Sequence, residues 1–306
     1  MPAPVLDHGV VPPLCTPLTP ERELDVPSLE RLTGFLLDAG VHGLFVTGST
    51  GEVAYLPDDA RYRALDVVAG MAAGQVPVLA GIVDTATPRV IAHAHAAKAH
   101  GARALVATAP FYAPTAAVEF PAHFRAIRAA VDLPLIAYDI PGSVHAKLPA
   151  TVVAELAADG TLDGVKDSSG DLDGLRTLLE LVDAPGFRVF TGSETMADVA
   201  MFLGSHGLVP GLGNVDPHGF VRLFEAARRG DWTAAAAEQR RLRELFRMIT
   251  VGGTRIGPYA SAVGAFKYAL VARGIIAGRT TSLPMAALDD AEQATVRAYL
   301  ERAGLS

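Results

Sequence analysis

The run Leu162-Asp163-Gly164-Val165-Lys166-Asp167-Ser168-Ser169-Gly170 passes from a short apolar strand into a turn, and a helical stretch follows near Asp171–Val182. Another apolar segment, Arg188–Thr191, then opens the next unit. This strand–helix–strand spacing is a βα repeat, and it recurs in both directions. Strands are predicted at Val10–Leu14, Gly43–Thr47, Val76–Gly81, Ala104–Thr108, Leu133–Tyr138, Leu162–Lys166, Arg188–Thr191 and Gly207–Val209. Helices are predicted between and after them, near Val26–Ala39, Asp58–Ala73, Pro88–His100, Ala116–Ala130, Ala150–Ala158, Asp171–Val182, Thr195–Leu203 and Pro217–Arg229. Eight such units without a linker close most naturally into a parallel barrel, so the expected fold is α/β, a (β/α)8 TIM barrel. The rival, an open doubly wound sheet, would usually carry a glycine-rich dinucleotide turn after its first strand, and none is present.

After about Gly230 the strand signal stops. Asp231–Ile249, Gly257–Gly274 and Leu288–Ala303 read as helices, with Gly252-Gly253 and the Gly278–Pro284 stretch as breaks. The expected division is a catalytic barrel over 1–229 and a C-terminal helical segment over 230–306, serving as an oligomer or lid element.

Composition narrows the function. Half of the 306 residues are apolar and 19% are charged, as in a soluble globular enzyme. A net charge of −7 argues against nucleic acid or an anionic membrane as the main partner. An anionic small substrate must then be held by local groups. The single cysteine, Cys15, excludes an internal disulfide and is expected to pack in the core. No run of about 18 apolar residues is present to cross a bilayer. The N-terminus shows no basic segment followed by an apolar one, so the cytoplasm is the expected location.

Lysine is scarce. Of 26 basic residues only Lys98, Lys147, Lys166 and Lys267 are lysines, and the rest are arginine. Lys166 closes an apolar run, where desolvation favours the neutral, nucleophilic amine; arginine cannot do that chemistry. A lysine that snorkels or pairs with Asp167 is the bland alternative. Active sites of barrels collect at the carboxyl ends of the strands. Lys166 falls there, with Gly48-Ser49-Thr50-Gly51-Glu52, Phe111-Tyr112, Tyr138 and Gly192-Ser193-Glu194. The Gly48–Glu52 turn can present backbone N–H groups and hydroxyls to a carboxylate, or be a tight βα turn of incidental polarity. Tyr138 can pass protons beside an imine, or sit in the core with its hydroxyl on backbone. Tyr112 lies on a stiff, apolar loop suited to a subunit contact. His93, His95 and His100 share one helix without the carboxylates a metal would want, so a surface helix is expected and no metal site. Asp171 and Asp173 suit a helix start, and Arg240–Arg247 reads as a solvated helix face.

Together GSTGE at 48–52, PFY at 110–112, YDIP at 138–141, GVKDSSGDL at 164–172 and TGSE at 191–194 resemble one family in order and separation. That family is the dihydrodipicolinate synthase / N-acetylneuraminate lyase group of class I aldolases, and the resemblance runs from about Val10 to the C-terminus. It implies a (β/α)8 barrel with a helical C-terminal segment, in a homotetramer built from tight dimers. It implies that Lys166 forms a Schiff base with pyruvate or another 2-keto acid and that Tyr138 is the acid/base. Ser49 and Thr50 match the pair whose amides hold the carboxylate. Ser49 would also link Tyr138 to Tyr112, which matches the tyrosine reaching the neighbouring subunit's site. Gly48, Ser168, Gly192 and Val209 complete the substrate surroundings, and the covalent imine to Lys166 stands in place of any cofactor.

The departures concern the second substrate. Where the lysine-pathway synthases of this family carry a carboxylate-gripping arginine, this sequence has Ser143, which offers no bidentate fork. Ser193-Glu194-Thr195 and Gly211 differ from the polar set by which sialate lyases hold the sugar chain. The expected reaction makes or breaks a carbon–carbon bond between a 2-keto acid and a shorter or less polar aldehyde, as in 2-keto-3-deoxy sugar acid aldolases. Ser143, Val144, His145 and Glu194 would shape that pocket. Alternatives are 4-hydroxy-tetrahydrodipicolinate synthase, a keto-acid dehydratase of the same family, and a barrel that binds a keto acid without turnover.

Overall fold

In a computed structural model, residues 5–305 are described, and they form one closed ring of strands with helices outside. The strands are β1 Gly9–Val10, β2 Leu44–Val46, β3 Val78–Gly81, β4 Ala104–Thr108, β5 Leu135–Asp139, β6 Gly164–Asp167, β7 Arg188–Thr191 and β8 Gly207–Leu208. The helices are α1 Val26–Asp38, α2 Asp58–Ala72, α3 Thr87–Ala99, α4 Phe120–Ala130, α5 Pro141–Val144, α6 Ala150–Ala158, α7 Leu172–Leu181, α8 Ala197–Leu203, α9 Pro217–Arg228, α10 Trp232–Phe246, α11 Pro258–Ala272 and α12 Asp290–Arg302.

All ladders are parallel, in the order β1-β8-β7-β6-β5-β4-β3-β2. Between β1 and β2 the ring closes through backbone bonds from His42 N–H to the Val10 carbonyl (2.9 Å), Phe45 to Pro12 (3.1 Å) and Leu14 to Phe45 (2.9 Å). Pro12 and Pro13 have no N–H to give, which is why the predicted strand Val10–Leu14 is regular only at its start. The barrel interior is filled by Val11, Phe45, Leu79, Val106, Ile136, Phe190 and Val209, while a second apolar layer lies between strands and helices. This is the TIM-barrel arrangement expected from the βα spacing.

Two short elements escaped the sequence reading: α5, and a turn of 3-10 helix at Gly211–Asn214. Both follow strand ends, where helical runs of four residues leave no periodic signal. Cys15 is buried as expected, its backbone N–H donating to Asn214 Oδ1 at 2.8 Å, and burial pushes its thiol up to about 12. Asp171 caps α7 by accepting the Gly174 N–H at 2.9 Å. The histidine helix differs from expectation. His93 is buried, with Nδ1 2.8 Å from the Tyr62 hydroxyl and Nε2 2.9 Å from Asp84. Its partners come from α2 and the β3 loop, so heptad spacing along α3 alone could not reveal the burial. In the Arg240–Arg247 stretch Arg240, Arg243, Glu244 and Arg247 are solvated, whereas Leu242 and Leu245 are buried in the core and Arg241 pairs with buried Asp216. Helices α11 and α12 close the chain against α10 and the carboxyl end of the barrel.

Candidate active site

Register alone puts the two central side chains side by side. Tyr138 on β5 is the lateral partner of Lys166 on β6, and Lys166 is in turn the partner of Phe190 on β7. Both residues point into the barrel, where Lys166 is 5% and Tyr138 3% exposed. The Lys166 ammonium nitrogen lies 3.9 Å from the centre of the Tyr138 ring and 5.1 Å from that of Phe45. The alternative pairing of Lys166 with Asp167 is not formed; Asp167 instead accepts the Ser169 N–H at 2.7 Å. Burial, the largest influence on the Tyr138 phenol, pushes it up. The Lys166 charge and hydrogen bonding from Lys166, Ser49 and Ser168 outweigh burial and hold the phenol below its ordinary value.

Gly192 explains how Ser168 approaches. A Cβ at position 192 would stand 2.1 Å from Ser168 Oγ and 3.1 Å from Lys166 Cε. Only a hydrogen fits there. Val209 lines the same inner wall and is buried. Glu194 reaches back from the β7 loop to accept the Leu212 N–H at 2.5 Å. Burial pushes its carboxyl up to about 7, against the opposing effects of that N–H, the Lys166 charge and the Gly211 N–H.

The turn after β2 forms the opposite wall. The Gly51 N–H donates to the Gly48 carbonyl and the Glu52 N–H to the Ser49 carbonyl, both at 3.0 Å. Thr50 packs close to Gly211, where a Cβ would lie 3.1 Å from Thr50 Oγ1. Backbone strain concentrates around this end of the barrel. Thr47, Glu52, Tyr112 and His145 all have positive φ (54°, 64°, 78° and 55°), an uncommon conformation for side-chain-bearing residues.

The fold thus gathers Lys166, Tyr138, Ser49, Thr50, Gly48, Ser168, Gly192, Val209 and Glu194 at one end. Ser143 and His145 flank the group on and just after α5, and both are exposed. Tyr112 stays apart, 93% exposed on the β4 loop. Sequence reasoning missed Lys267, which is fully buried on α11 and ion-paired with equally buried Glu52 below the β2 turn. Its signal was available, since lysine scarcity marks Lys267 as plainly as Lys166. It also missed Tyr259, whose hydroxyl donates to the Ser49 carbonyl. Among the described residues no group of three or more His, Cys, Asp or Glu side chains could hold a metal ion. A cavity of ≈ 570 Å³ opens at the other end of the barrel, but its rim arginines Arg128 and Arg188 are paired with Asp163 and Asp7.

The profile of the dihydrodipicolinate synthetase family matches residues 7–303. The chain belongs to that family. An uncharacterised DapA-like lyase of Halobacterium salinarum is 38% identical over 302 residues, covering 97% of this chain and 94% of the relative. The 4-hydroxy-tetrahydrodipicolinate synthase of Methylococcus capsulatus is 30% identical over 298 residues, covering 97% and 99%. Among solved structures, Escherichia coli YagE in complex with pyruvate superposes with a TM-score of 0.91 at 27% identity, covering 98% of this chain and 99% of that one. As a dihydrodipicolinate synthetase family member the protein is an enzyme of the lyase class.

Proposed function

We propose that the protein is a Schiff-base aldolase in which Lys166 condenses with pyruvate or a related 2-keto acid. The observation that carries this reading is the buried Lys166 nitrogen 3.9 Å from the Tyr138 ring at the carboxyl end of the barrel. The neutral amine adds to the C2 carbonyl, and the carbinolamine loses water to give an iminium. The iminium withdraws electrons from C3, which then loses either a proton or its bond to C4, whose hydroxyl-bearing carbon leaves as the aldehyde, and the C2–C3 unit becomes an enamine. Tyr138 donates the proton that leaves with water and accepts the one released at the aldehyde hydroxyl, and its depressed pKa suits both duties. In the same reading the Ser49 and Thr50 amides hold the carboxylate, Ser168, Gly192 and Val209 line the imine, and Gly48 permits the turn. Ser143, His145 and Glu194 face the aldehyde portion. The pyruvate bound in the YagE structure supports the choice of keto acid.

We assign residues 1–229 to the catalytic barrel and 230–306 to the helical segment. Exposed Tyr112, on a loop of positive φ, suits a self-associated enzyme, a homotetramer of two tight dimers in which the loop is covered. No helix among the described residues is long and apolar enough to cross a membrane, and a cytoplasmic location fits the buried, unpaired Cys15. The imine serves in place of a cofactor.

The names of several relatives favour a second reading, 4-hydroxy-tetrahydrodipicolinate synthase. Ser143 opposes it, because no guanidinium stands at that position to grip a second carboxylate. Borohydride added with pyruvate should place the reduced pyruvate adduct on Lys166, read by peptide mass. Intact, folded protein without that adduct would overturn the aldolase reading. Rapid condensation of pyruvate with aspartate semialdehyde would replace the first reading by the second; slow or absent turnover there, with turnover of hydroxyaldehydes, supports the first.

A further inference from the structure

The turn that would hold the keto-acid carboxylate is shaped by the far end of the chain. The Ser49 carbonyl accepts two hydrogen bonds, from the Glu52 N–H within the turn (3.0 Å) and from the hydroxyl of Tyr259 on α11. A trans peptide is planar, so its N–H lies opposite its carbonyl. Holding the Ser49 carbonyl toward α11 therefore turns the Thr50 N–H the other way. Among the described residues neither the Ser49 nor the Thr50 N–H donates to a protein acceptor. The neighbouring carbonyls are held too: Gly48 by the Gly51 N–H, and Gly51 by the Thr16 hydroxyl at 2.8 Å.

Helix α11 is itself locked to this turn. Lys267, eight residues beyond Tyr259, is ion-paired with Glu52 and donates to the Thr280 carbonyl at 2.6 Å. The second Glu52 oxygen accepts the Ser282 N–H at 2.7 Å. Glu52 follows Thr50 by two residues, so the anchor and the free amides belong to one rigid loop. The Tyr259 phenol is pushed above its ordinary value by burial and by the Glu52 charge, so it remains a donor at working pH.

We infer that Tyr259 is a positioning residue, delivered by the C-terminal helix, whose hydroxyl fixes the Ser49–Thr50 peptide so that the Thr50 N–H meets the substrate carboxylate. The inference rests on the aldolase reading. It makes the barrel's carboxylate pocket dependent on residues beyond the eighth βα unit.

The test compares two carbonyl compounds that differ in the carboxylate, pyruvate and acetone, each trapped on Lys166 by cyanoborohydride in the full-length enzyme. Tyr259→Phe keeps the ring 5.6 Å from Tyr55 and removes only the hydroxyl. In this variant the half-saturating pyruvate concentration should rise roughly five- to tenfold, the effect of one misdirected hydrogen bond. The maximal pyruvate trapping rate and the acetone rate should match the parent, and Tyr55→Phe should change neither. A general structural defect lowers both rates alike, so the acetone arm keeps the result readable in a less stable variant. Equal losses for both compounds, or an unchanged pyruvate curve, would overturn the assignment. Absence of any adduct in the parent enzyme would instead remove the aldolase reading beneath it.

Discussion

Lys166 and Tyr138 depend on each other electrostatically, and the dependence runs through a shared wall. The Lys166 nitrogen stands above the Tyr138 ring and its stem lies among Phe45, Phe190 and Val209. Removing the phenol hydroxyl leaves the wall intact but takes away the proton carrier. Tyr138→Phe should lower turnover by about 10²- to 10⁴-fold, the usual range for a positioned acid/base, with little change in half-saturating pyruvate. Steady-state kinetics with the aldehyde identified by product mass checks this; a loss under threefold would show that another group moves the proton. Gly192 gives a complementary test. The added methyl of Gly192→Ala would meet Ser168 Oγ at 2.1 Å and Lys166 Cε at 3.1 Å, so one of them must move. Overpacking of this kind costs about 1–3 kcal/mol, and here it falls on the reacting amine. Trapping of pyruvate on Lys166 should fall at least tenfold, a change of about 1.4 kcal/mol, while the melting temperature shifts only a few degrees.

At the scale of elements, most of the barrel was legible because strand and helix leave different periods in the sequence. Ala104–Thr108, Ala150–Ala158 and Arg188–Thr191 fall where the apolar pattern put them. What stayed hidden was whatever depends on partners distant in sequence. His93 reads as a surface residue until Asp84 and Tyr62 fold over it. Lys267 reads as a helix lysine until Glu52, 215 residues earlier, is brought beneath it. That ion pair has no exposed atoms on either side, so its value lies in being complete. Glu52→Gln strands a buried ammonium, and breaking such a pair costs about 3–5 kcal/mol. Replacing both partners removes both desolvation penalties. The double variant Glu52→Gln with Lys267→Met should therefore recover most of the loss, as measured by urea unfolding. If the double variant were as unstable as the sum of the singles, the two groups would not be coupled.

Over the whole molecule, buried His123 and half-buried Glu194 push stability in opposite directions with pH. His123 on α4 donates from Nε2 to the Thr108 carbonyl at 3.1 Å and accepts at Nδ1 from the Thr87 hydroxyl at 2.9 Å. Burial pulls its imidazole down from 6.5 to about 4, partly offset by the Thr108 carbonyl. The unfolded chain then binds the proton more readily, so the stability due to neutral His123 is complete above 6.5 and drains away as pH falls through 4. Glu194 behaves oppositely. Its carboxyl is raised from 4.5 to about 7, so its contribution is complete below 4.5 and is lost as pH climbs through 7. The windows overlap between 4.5 and 6.5, where the two slopes oppose each other and the parent profile is flatter than either group alone would make it. Each shift converts to about 3 kcal/mol at most, and partial solvent access at Glu194 reduces its share to about 1–2 kcal/mol. Removing one group should expose the other. His123→Gln should lose stability as pH rises from 4.5 to 7, whereas Glu194→Gln should lose it as pH falls from 6.5 to 4. Urea midpoints at half-unit pH intervals read both slopes, and parallel profiles for parent and both variants would show that neither group carries the linkage.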